Sequence, residues 1–247
     1  MAGDLQGRTA LVTGGAKRLG RAVALGLARA GANVVLHYRS SEAEVRDAVR
    51  ELEGIGVRAW AVQADLRDEA QAVGMVDEAL RVAGPLGILI NSAATYPPSR
   101  LETLTRAELD ANIDINAWAP FVVARRLAAA GAGGHVVNFL DTRIVGHDWQ
   151  HVGYHAAKVL FALLTREMAL RWAPRWQVNG VAPGLILPPA GMPPDDFERL
   201  KGTVPLERTG GPADVVDAVL YLVRSRFVTG QVLFVDGGRH LREANRG

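Results

Sequence analysis

The strongest constraint on the fold of this 247-residue chain is a regular alternation of short apolar runs with longer amphipathic stretches. Each apolar run has the length of a strand buried on both faces, and the stretches between them repeat apolar residues at helical spacing. This alternation is typical of βαβ units, which build a parallel sheet. No linker or change of composition interrupts it. We therefore expect one α/β domain over residues 1–247, a doubly wound parallel sheet of about seven strands with helices on both faces.

The same pattern places the individual elements. Strands are predicted at Thr9–Thr13, Asn33–His37, Arg58–Val62, Gly87–Asn91, His135–Phe139, Gln177–Val181 and Val232–Val235. Helices are predicted at Leu19–Ala30, Glu42–Glu53, Glu69–Val82, Leu109–Ala130, Gly153–Trp172 and Pro212–Val223. The Pro- and Gly-rich stretch Ala182–Pro194 is predicted to be an irregular loop over a site, within a longer substrate loop around residues 182–206.

Composition excludes several classes of protein. Lysine and arginine number 28 against 26 acidic residues, a near balance that disfavours a nucleic-acid-binding stripe. The absence of cysteine excludes disulfides, thiolate nucleophiles and cysteine-ligated metals, and it fits a reducing compartment such as the cytoplasm. We expect no metal site. No signal peptide or long apolar run is recognisable, so no membrane span is expected.

A glycine-rich turn, TGGAKRLG, follows the first predicted strand and leads into a helix. Backbone N–H groups and a helix N-terminus converge on such a turn, which favours an anion such as a cofactor phosphate. Glycines also serve plain tight turns, so the position directly after the first strand carries the argument. The candidate cofactor-binding residues in this turn are Gly14, Lys17, Arg18 and Leu19.

The tip of the second strand reads His37-Tyr38-Arg39-Ser40 and contains no acidic residue. In a Rossmann-type fold an acidic side chain at this tip binds the ribose 2′-OH of NAD, whereas arginine accommodates the 2′-phosphate of NADP. We therefore expect NADPH/NADP as the cofactor, with these residues and Arg18 around its 2′-phosphate; a solvated polar turn is the alternative. After the third strand, Asp65 of the Asp65-Leu66 pair could bind the adenine amino group or be a surface carboxylate.

Tyr154 and Lys158 are four residues apart on a predicted helix, so they lie on one face, one turn apart. A free phenol has a pKa of about 10 and is a poor acid or base at neutral pH. A neighbouring ammonium stabilises the phenolate, so Lys158 is expected to lower the pKa of Tyr154. Only three of the 28 lysine and arginine residues are lysine. Because the chain otherwise uses arginine, a lysine at position 158 indicates a specific need for a compact ammonium.

Two further candidate catalytic residues, Asp141 and Asn116, are expected near this pair. Asp141 follows the fifth predicted strand and therefore lies at the carboxyl edge of the sheet, where open α/β sheets bind ligands. Asn116 could hold a backbone carbonyl or a water near Lys158, or it could be a helix-bending residue satisfied by the backbone.

Together these motifs resemble the short-chain dehydrogenase/reductase family, from Thr9 to Gly238. The matching segments are the glycine turn, Asp65-Leu66, Asn91-Ser92-Ala93-Ala94, Asn116, Tyr154 with Lys158, Val178-Asn179, Pro183-Gly184 and Val235-Asp236-Gly237-Gly238. Within that family the chain is similar to pteridine reductases and related dihydropterin reductases. The turn has the form T-G-x-x-K-R-L-G, the second strand ends in LHYRSS, and Asp141 stands where most members carry a catalytic serine.

The resemblance implies an NADPH-dependent reduction of a dihydropterin, with hydride transfer to a C=N carbon. Tyr154 would donate the proton, Asp141 would bond Tyr154 and share in the delivery, and Lys158 would bind the nicotinamide ribose. Tyr96 would sandwich the pterin against nicotinamide, and Arg18 would reach both the cofactor phosphates and the pterin. Carried over by the same resemblance are cofactor contacts at Asn91, Ser92, Ala93, Pro183, Gly184 and Ile186, a substrate contact at Leu185, and a homotetramer.

Two positions depart from the subgroup. Ser92 replaces a second asparagine, and Ala94 stands where a serine often bonds the pterin. The first alternative function is a carbonyl reductase of the same fold acting on a 3-oxoacyl thioester, and the second is a non-catalytic NADPH-binding protein. A carboxyl group at Asp141 suits protonation of an imine better than stabilisation of a carbonyl oxyanion, which a negative charge would repel.

Overall fold

The seven strands found among the residues that the structure describes pair in parallel within one sheet, in the order β3-β2-β1-β4-β5-β6-β7. The computed structural model describes residues 4–131, 133–189 and 191–243. The strands are β1 (Thr9–Thr13), β2 (Asn33–Tyr38), β3 (Ala59–Gln63), β4 (Ile88–Asn91), β5 (Gly134–Phe139), β6 (Trp176–Pro183) and β7 (Val232–Val235). The chain order reverses between β1 and β4, and the crevice at such a switch point is where open α/β sheets bind ligands.

The helices of the described residues follow the strands in alternation. They are α1 (Arg18–Arg29), α2 (Glu42–Ile55), α3 (Glu69–Ala83), α4 (Arg106–Ile113), α5 (Ala119–Ala130), α6 (Val152–Trp172), α7 (Pro194–Arg199), α8 (Pro212–Arg224) and α9 (Arg239–Glu243). Among them, none combines the length and the apolar character that crossing a bilayer requires.

A hydrophobic core lies on each face of the sheet, because successive side chains of a strand point to opposite sides. Leu11 of β1 belongs to one core and its neighbour Val12 to the other. Helices α3, α5 and α6 cover the Leu11 side through Met75, Val76, Leu127 and Phe161. Helices α1, α2 and α8 cover the Val12 side through Val23, Leu27, Leu52 and Leu222. The predicted doubly wound sheet with helices on both faces is confirmed.

The predicted loop Ala182–Pro194 is wrong at both ends. Ala182 and Pro183 continue β6 and pair in register with β7. Pro183 is the last residue of β6, beyond its registered pairs with β5, so its missing N–H does not interrupt the ladder. Pro194, the last residue of the predicted loop, opens helix α7. Residue 190 of this loop, and residues 1–3, 132 and 244–247 of the predicted domain, lie outside the described residues.

The predicted helix Leu109–Ala130 is interrupted. Helix α4 starts earlier, where Thr105 and Glu108 form a capping box, and α5 starts at Ala119. Between them lies a π-helical turn, Asp114–Trp118, which contains Asn116. Proline at position 120 lacks the N–H that a regular helix would use there, which favours the wider turn.

Buried amides connect the centre of the sheet to α6. Asn91, the last residue of β4, pairs in register with Asn138 of β5. The Nδ2 of Asn91 donates to Oδ1 of Asn138 at 2.9 Å, and Nδ2 of Asn138 donates to the Thr165 hydroxyl at 2.9 Å. Both asparagines are buried, and they lie immediately before the loops that carry the candidate site.

Candidate active site

A cleft of about 400 Å³ opens at the carboxyl edge of the sheet, between the ends of β1 and β4. It brings together most of the cofactor-binding residues expected from the sequence. Those that line it are Gly14, Lys17, Arg18, Leu19, His37, Arg39, Asp65, Leu66, Ser92 and Ala93. Tyr38 and Ser40 are not part of this lining, and Asn91 is buried beneath it.

Glycine at positions 14 and 20 lets the turn pass close to its neighbours. Gly14 has a φ of +63°, and a Cβ on Gly20 would lie 2.3 Å from the Gly14 carbonyl oxygen. Thr13 also supports this region, because its hydroxyl accepts the N–H groups of Ser92 and Ala93 at 3.0 and 3.1 Å. Sequence reasoning missed Thr13, although a hydroxyl residue at the end of the first strand was a usable signal.

The expectation that His37 faces a phosphate needs correction. Its Nδ1 accepts the N–H of Gly14 at 3.2 Å, and its Nε2 lies 3.1 Å from the carbonyl oxygen of Ala64. Both ring nitrogens are therefore engaged with the main chain. Burial lowers the pKa of His37, which keeps the ring in the neutral form that these two contacts need. His37 shapes the glycine turn.

Charged residues around the cleft also have partners. Asp65 forms an ion pair with Arg67, and hydrogen bonding from Arg67 lowers the pKa of this carboxyl to about 2. Lys17 pairs with Glu44 at 2.5 Å. Arg18 has a φ of +50°, an unusual value for a non-glycine residue, and its guanidinium donates to the carbonyl oxygen of Pro188 at 2.5 Å. Arg18 thereby spans from the glycine turn to the loop after β6.

A second cleft of about 220 Å³ adjoins the first and shares Arg18, Leu19, Ser92 and Ala94 with it. It holds the predicted catalytic residues Asp141, Tyr154 and Lys158 together with Pro183, Gly184 and Ile186. Leu185 is an exception among the predicted substrate contacts. It lines a neighbouring cavity that Val204 and Leu206 also line.

Tyr154 and Lys158 lie on α6, and Asp141 comes two residues after β5. The Tyr154 hydroxyl donates to Oδ2 of Asp141 at 3.2 Å. The Nζ of Lys158 donates to the carbonyl oxygen of Phe139 at 2.6 Å and lies 5.6 Å from the centre of the Tyr154 ring. Helix α6 therefore presents a phenol and an ammonium to the end of β5.

The expected lowering of the Tyr154 pKa is wrong for this structure. Burial raises this pKa well above its ordinary value, and the Asp141 carboxylate raises it further. Spacing alone could not show this, because it identifies the ammonium but neither the burial nor the carboxylate. A phenol with a raised pKa keeps its proton at neutral pH, but it is a weaker acid than a free phenol.

Lys158 is buried, with 3% of its surface exposed, and burial lowers its pKa to about 8. Nearby Asp141 opposes this by favouring the ammonium. Because the pKa is depressed, Lys158 is charged below pH 8 and loses its positive charge as the pH rises through that value.

We expect kcat/KM for NADPH to be constant up to about pH 8 and to fall above it, because this ratio reports ionisations of the free enzyme. Steady-state rates from pH 6 to 10 would measure it. In Lys158→Arg, which stays charged over this range, the fall should disappear even if the rate is lower overall. Lys201→Met changes an exposed lysine and should leave the profile intact. A fall that persists in Lys158→Arg would contradict the assignment.

Tyr96 lies beside Tyr154, but its ring is already in contact on one side. It stacks on His151 with 3.7 Å between ring centres and meets Tyr154 edge to face at 4.7 Å. Burial raises the pKa of Tyr96 to about 12. His151 occupies one face of the Tyr96 ring, and Tyr96 is not among the residues that line either cleft, so its stacking on a pterin stays a prediction.

Asn116 is fully buried, and its side chain is satisfied locally. Its Oδ1 accepts the N–H of Thr95 at 3.0 Å, and its Nδ2 donates to Asn112 at 3.4 Å. The side chain thus holds the loop after β4 against the π-helical turn. This arrangement resembles the second interpretation of Asn116, a residue at a bend of the helix with its side chain satisfied by the main chain.

Sequence reasoning also missed a group of charged residues between Asp141 and α6. Arg143 and Asp148 form an ion pair, and the ring of His151 lies 3.2 Å from the Asp148 carboxylate. The signal was the density of ionisable residues in the segment DTRIVGHDWQH, directly between two predicted catalytic positions.

Comparison with known proteins shows a family profile and several relatives that match nearly the whole chain. A family profile described as enoyl-(acyl carrier protein) reductase matches residues 14–240. 3beta-Hydroxysteroid dehydrogenase 1 of Eggerthella lenta is 33% identical over 257 residues, covering 96% of this chain and 95% of that protein. Granaticin polyketide synthase putative ketoacyl reductase 2 of Streptomyces violaceoruber is 37% identical over 244 residues, covering 94% and 96%.

Two solved structures are similar over almost the whole chain. FolM alternative dihydrofolate reductase 1 from Brucella suis in complex with NADP has 33% identity and a TM-score of 0.91, covering 95% of this chain and 96% of that one. A blue fluorescent protein from a metagenomic library in complex with NADPH has 32% identity and a TM-score of 0.88, covering 96% and 99%.

Proposed function

Since the chain belongs to the short-chain dehydrogenase/reductase family, we propose that it uses NADPH to reduce a C=N bond of a dihydropterin. It is an oxidoreductase of this NAD(P)-dependent family. The observation that carries the finer proposal is the carboxyl group of Asp141, 3.2 Å from the Tyr154 hydroxyl. The homotetramer and the cytoplasmic location expected from the sequence stay predictions.

The residues of the first cleft fit a phosphate-bearing cofactor. Glycine at positions 14 and 20 keeps side-chain atoms out of the turn, and Lys17, the N-cap of α1, makes no side-chain capping bond. The first N–H groups of α1 are thus available to an anion. Arg39 lines the cleft and would meet a 2′-phosphate, in keeping with the NADP and NADPH in the similar solved structures.

NADPH supplies the hydride when bound. Lys158 would hold the nicotinamide ribose from beneath, since its ammonium lies between β5 and the second cleft. Tyr154, which keeps its proton at neutral pH, donates that proton to the ring nitrogen next to the carbon that receives the hydride. Asp141 accepts the hydrogen bond of the hydroxyl and so orients it, and the phenolate left after the transfer regains a proton from solvent.

A carboxylate beside the proton donor favours an imine over a carbonyl substrate. Protonating a C=N nitrogen places positive charge near Asp141, which a negative carboxylate stabilises. Reducing a carbonyl develops negative charge on oxygen, and the same carboxylate would repel it. The similarity to FolM alternative dihydrofolate reductase 1 supports the first assignment.

NADPH consumption with a 7,8-dihydropterin and, in parallel, with an acetoacetyl thioester tests this function. We expect turnover of the pterin only, with a preference for NADPH over NADH. Asp141→Ser should lower pterin turnover at least about tenfold, because it removes the carboxylate that orients the proton donor. If the protein is a carbonyl reductase, the same variant should instead retain or improve thioester turnover.

Thioester turnover without pterin turnover by the unaltered protein would overturn the proposal in favour of a carbonyl reductase. Bound NADPH that neither substrate consumes would instead indicate an NADPH-binding protein. Asp217→Ser, which changes an exposed carboxylate on α8, is the matched control and should leave the pterin rate unchanged.

A further inference from the structure

Arg143 is held through its main-chain N–H, its carbonyl oxygen and one terminal nitrogen of its guanidinium, Nη1. Its guanidinium donates to the Tyr96 hydroxyl at 2.6 Å and forms an ion pair with Asp148. Its carbonyl oxygen lies 2.9 Å from Nε2 of His155, the residue after Tyr154 on α6. An arginine fixed in this way has lost most of its side-chain freedom, so its position is well defined.

The main-chain amide of Arg143 contacts the catalytic carboxylate directly. It donates to Oδ1 of Asp141 at 2.8 Å, while Oδ2 of the same carboxylate accepts from Tyr154. One oxygen is therefore committed to the loop and the other to the proton donor. A displacement of Arg143 would turn the carboxylate away from the Tyr154 hydroxyl.

The partner of Arg143 is itself anchored. The side chain of Asp148 is 6% exposed, and its Oδ1 accepts the N–H groups of Gln150 and His151, both at 3.0 Å. Burial opposes ionisation of Asp148, but Arg143 and these amides outweigh it, so its pKa stays below the ordinary value. An ionised Asp148 keeps the guanidinium in place.

The charge of Arg143 also acts on the reacting pair. Its side chain is 27% exposed, so water screens it only in part. Its positive charge lowers the pKa of Tyr154, against the larger effects of burial and Asp141 that raise it. Arg143 thereby offsets part of the negative field of Asp141 at the proton donor.

We propose that Arg143 is a positioning residue for proton transfer: its amide orients Asp141 toward Tyr154, and its guanidinium holds a positive charge beside that pair. This inference rests on the proposed function, since it requires Asp141 and Tyr154 to deliver the proton. Asp148 acts through Arg143 by fixing the guanidinium.

A double-mutant cycle between Arg143→Met and Asp141→Asn tests the proposal, with kcat for dihydropterin reduction as the readout. We expect Arg143→Met to lower kcat roughly tenfold or more, with little change in KM for NADPH, because small misplacements of catalytic groups are costly. Arg143→Lys should restore much of the loss. In the Asp141→Asn background, Arg143→Met should change kcat by no more than about twofold.

An equal loss of kcat from Arg143→Met in both backgrounds would overturn the inference, and so would an effect confined to KM for the pterin. If Asp141→Asn alone leaves kcat unchanged, the proposed function itself fails, which distinguishes the two. Arg143→Met/Asp148→Asn removes both charges and serves the same cycle if the single variant does not fold. Arg81→Met, an exposed arginine paired with Glu78, should have no effect.

Discussion

Replacing Tyr154 with phenylalanine is expected to lower kcat for dihydropterin reduction by roughly 10²- to 10⁴-fold, the range for loss of a positioned general acid. The hydroxyl that would be lost lies 3.2 Å from Asp141 and keeps its proton because burial raises its pKa. NADPH affinity should change little, because Lys158 is held by the carbonyl oxygen of Phe139 and not by this hydroxyl.

Single-turnover absorbance at saturating NADPH, with fluorescence titration for cofactor affinity, would measure both quantities. Tyr221→Phe is the matched control, because Tyr221 is an exposed tyrosine on α8, and it should retain the full rate. A Tyr154→Phe enzyme with more than about a tenth of the original kcat would show that another group supplies the proton.

Replacing Gly20 with alanine is expected to weaken NADPH binding by up to roughly 10²-fold. The added methyl would lie 2.3 Å from the Gly14 carbonyl oxygen, so the turn that is to hold the phosphates must shift. Forcing atoms into a packed site costs about 1–3 kcal/mol, and each 1.4 kcal/mol corresponds to about tenfold in affinity.

Gly54→Ala provides the control for this substitution. Gly54 is exposed on α2, and a Cβ there would have no atom within 4 Å. Gly54 lies in the last turn of α2, where alanine still favours the helical conformation over glycine, so this variant should gain less than about 1 kcal/mol in the free energy of unfolding, with NADPH affinity unchanged. Calorimetric titration would compare the two, and normal affinity in Gly20→Ala would contradict the proposed phosphate turn.

The sheet and its helices could be predicted from the sequence because their signals are local. Apolar runs such as Thr9–Thr13 coincide with the strand found, and helix α8 begins at Pro212 as its first-turn proline indicates. A bend at Asn116 was one of two interpretations of that residue, but the break of the predicted helix into α4 and α5 was not predicted. A π-helical turn shifts the hydrogen bonding by one residue and leaves the apolar pattern almost unchanged.

The pairing of Tyr154 with Lys158 could also be predicted from the sequence, but the direction of the Tyr154 pKa shift could not. The four-residue spacing of Tyr154 and Lys158 survives in α6, whereas the direction of the Tyr154 pKa depends on burial and on Asp141, which only tertiary contacts reveal. His37 is a similar case, because both partners of its ring come from other segments of the chain. Contacts between distant residues explain most of the corrections.

The buried pair Asn91 and Asn138 has a consequence for how the two central strands align. If β4 slid by two residues along β5, every side chain would stay on the same face of the sheet. The apolar contacts would then change little, because both strands are buried on both faces. Such a slip would separate the two amides and break the hydrogen bond from Nδ2 of Asn91 to Oδ1 of Asn138. A buried polar group left without its partner costs about 1–3 kcal/mol. The asparagines therefore favour one register between β4 and β5. That register also fixes how far Asp141, two residues after β5, extends beyond the carboxyl edge of the sheet.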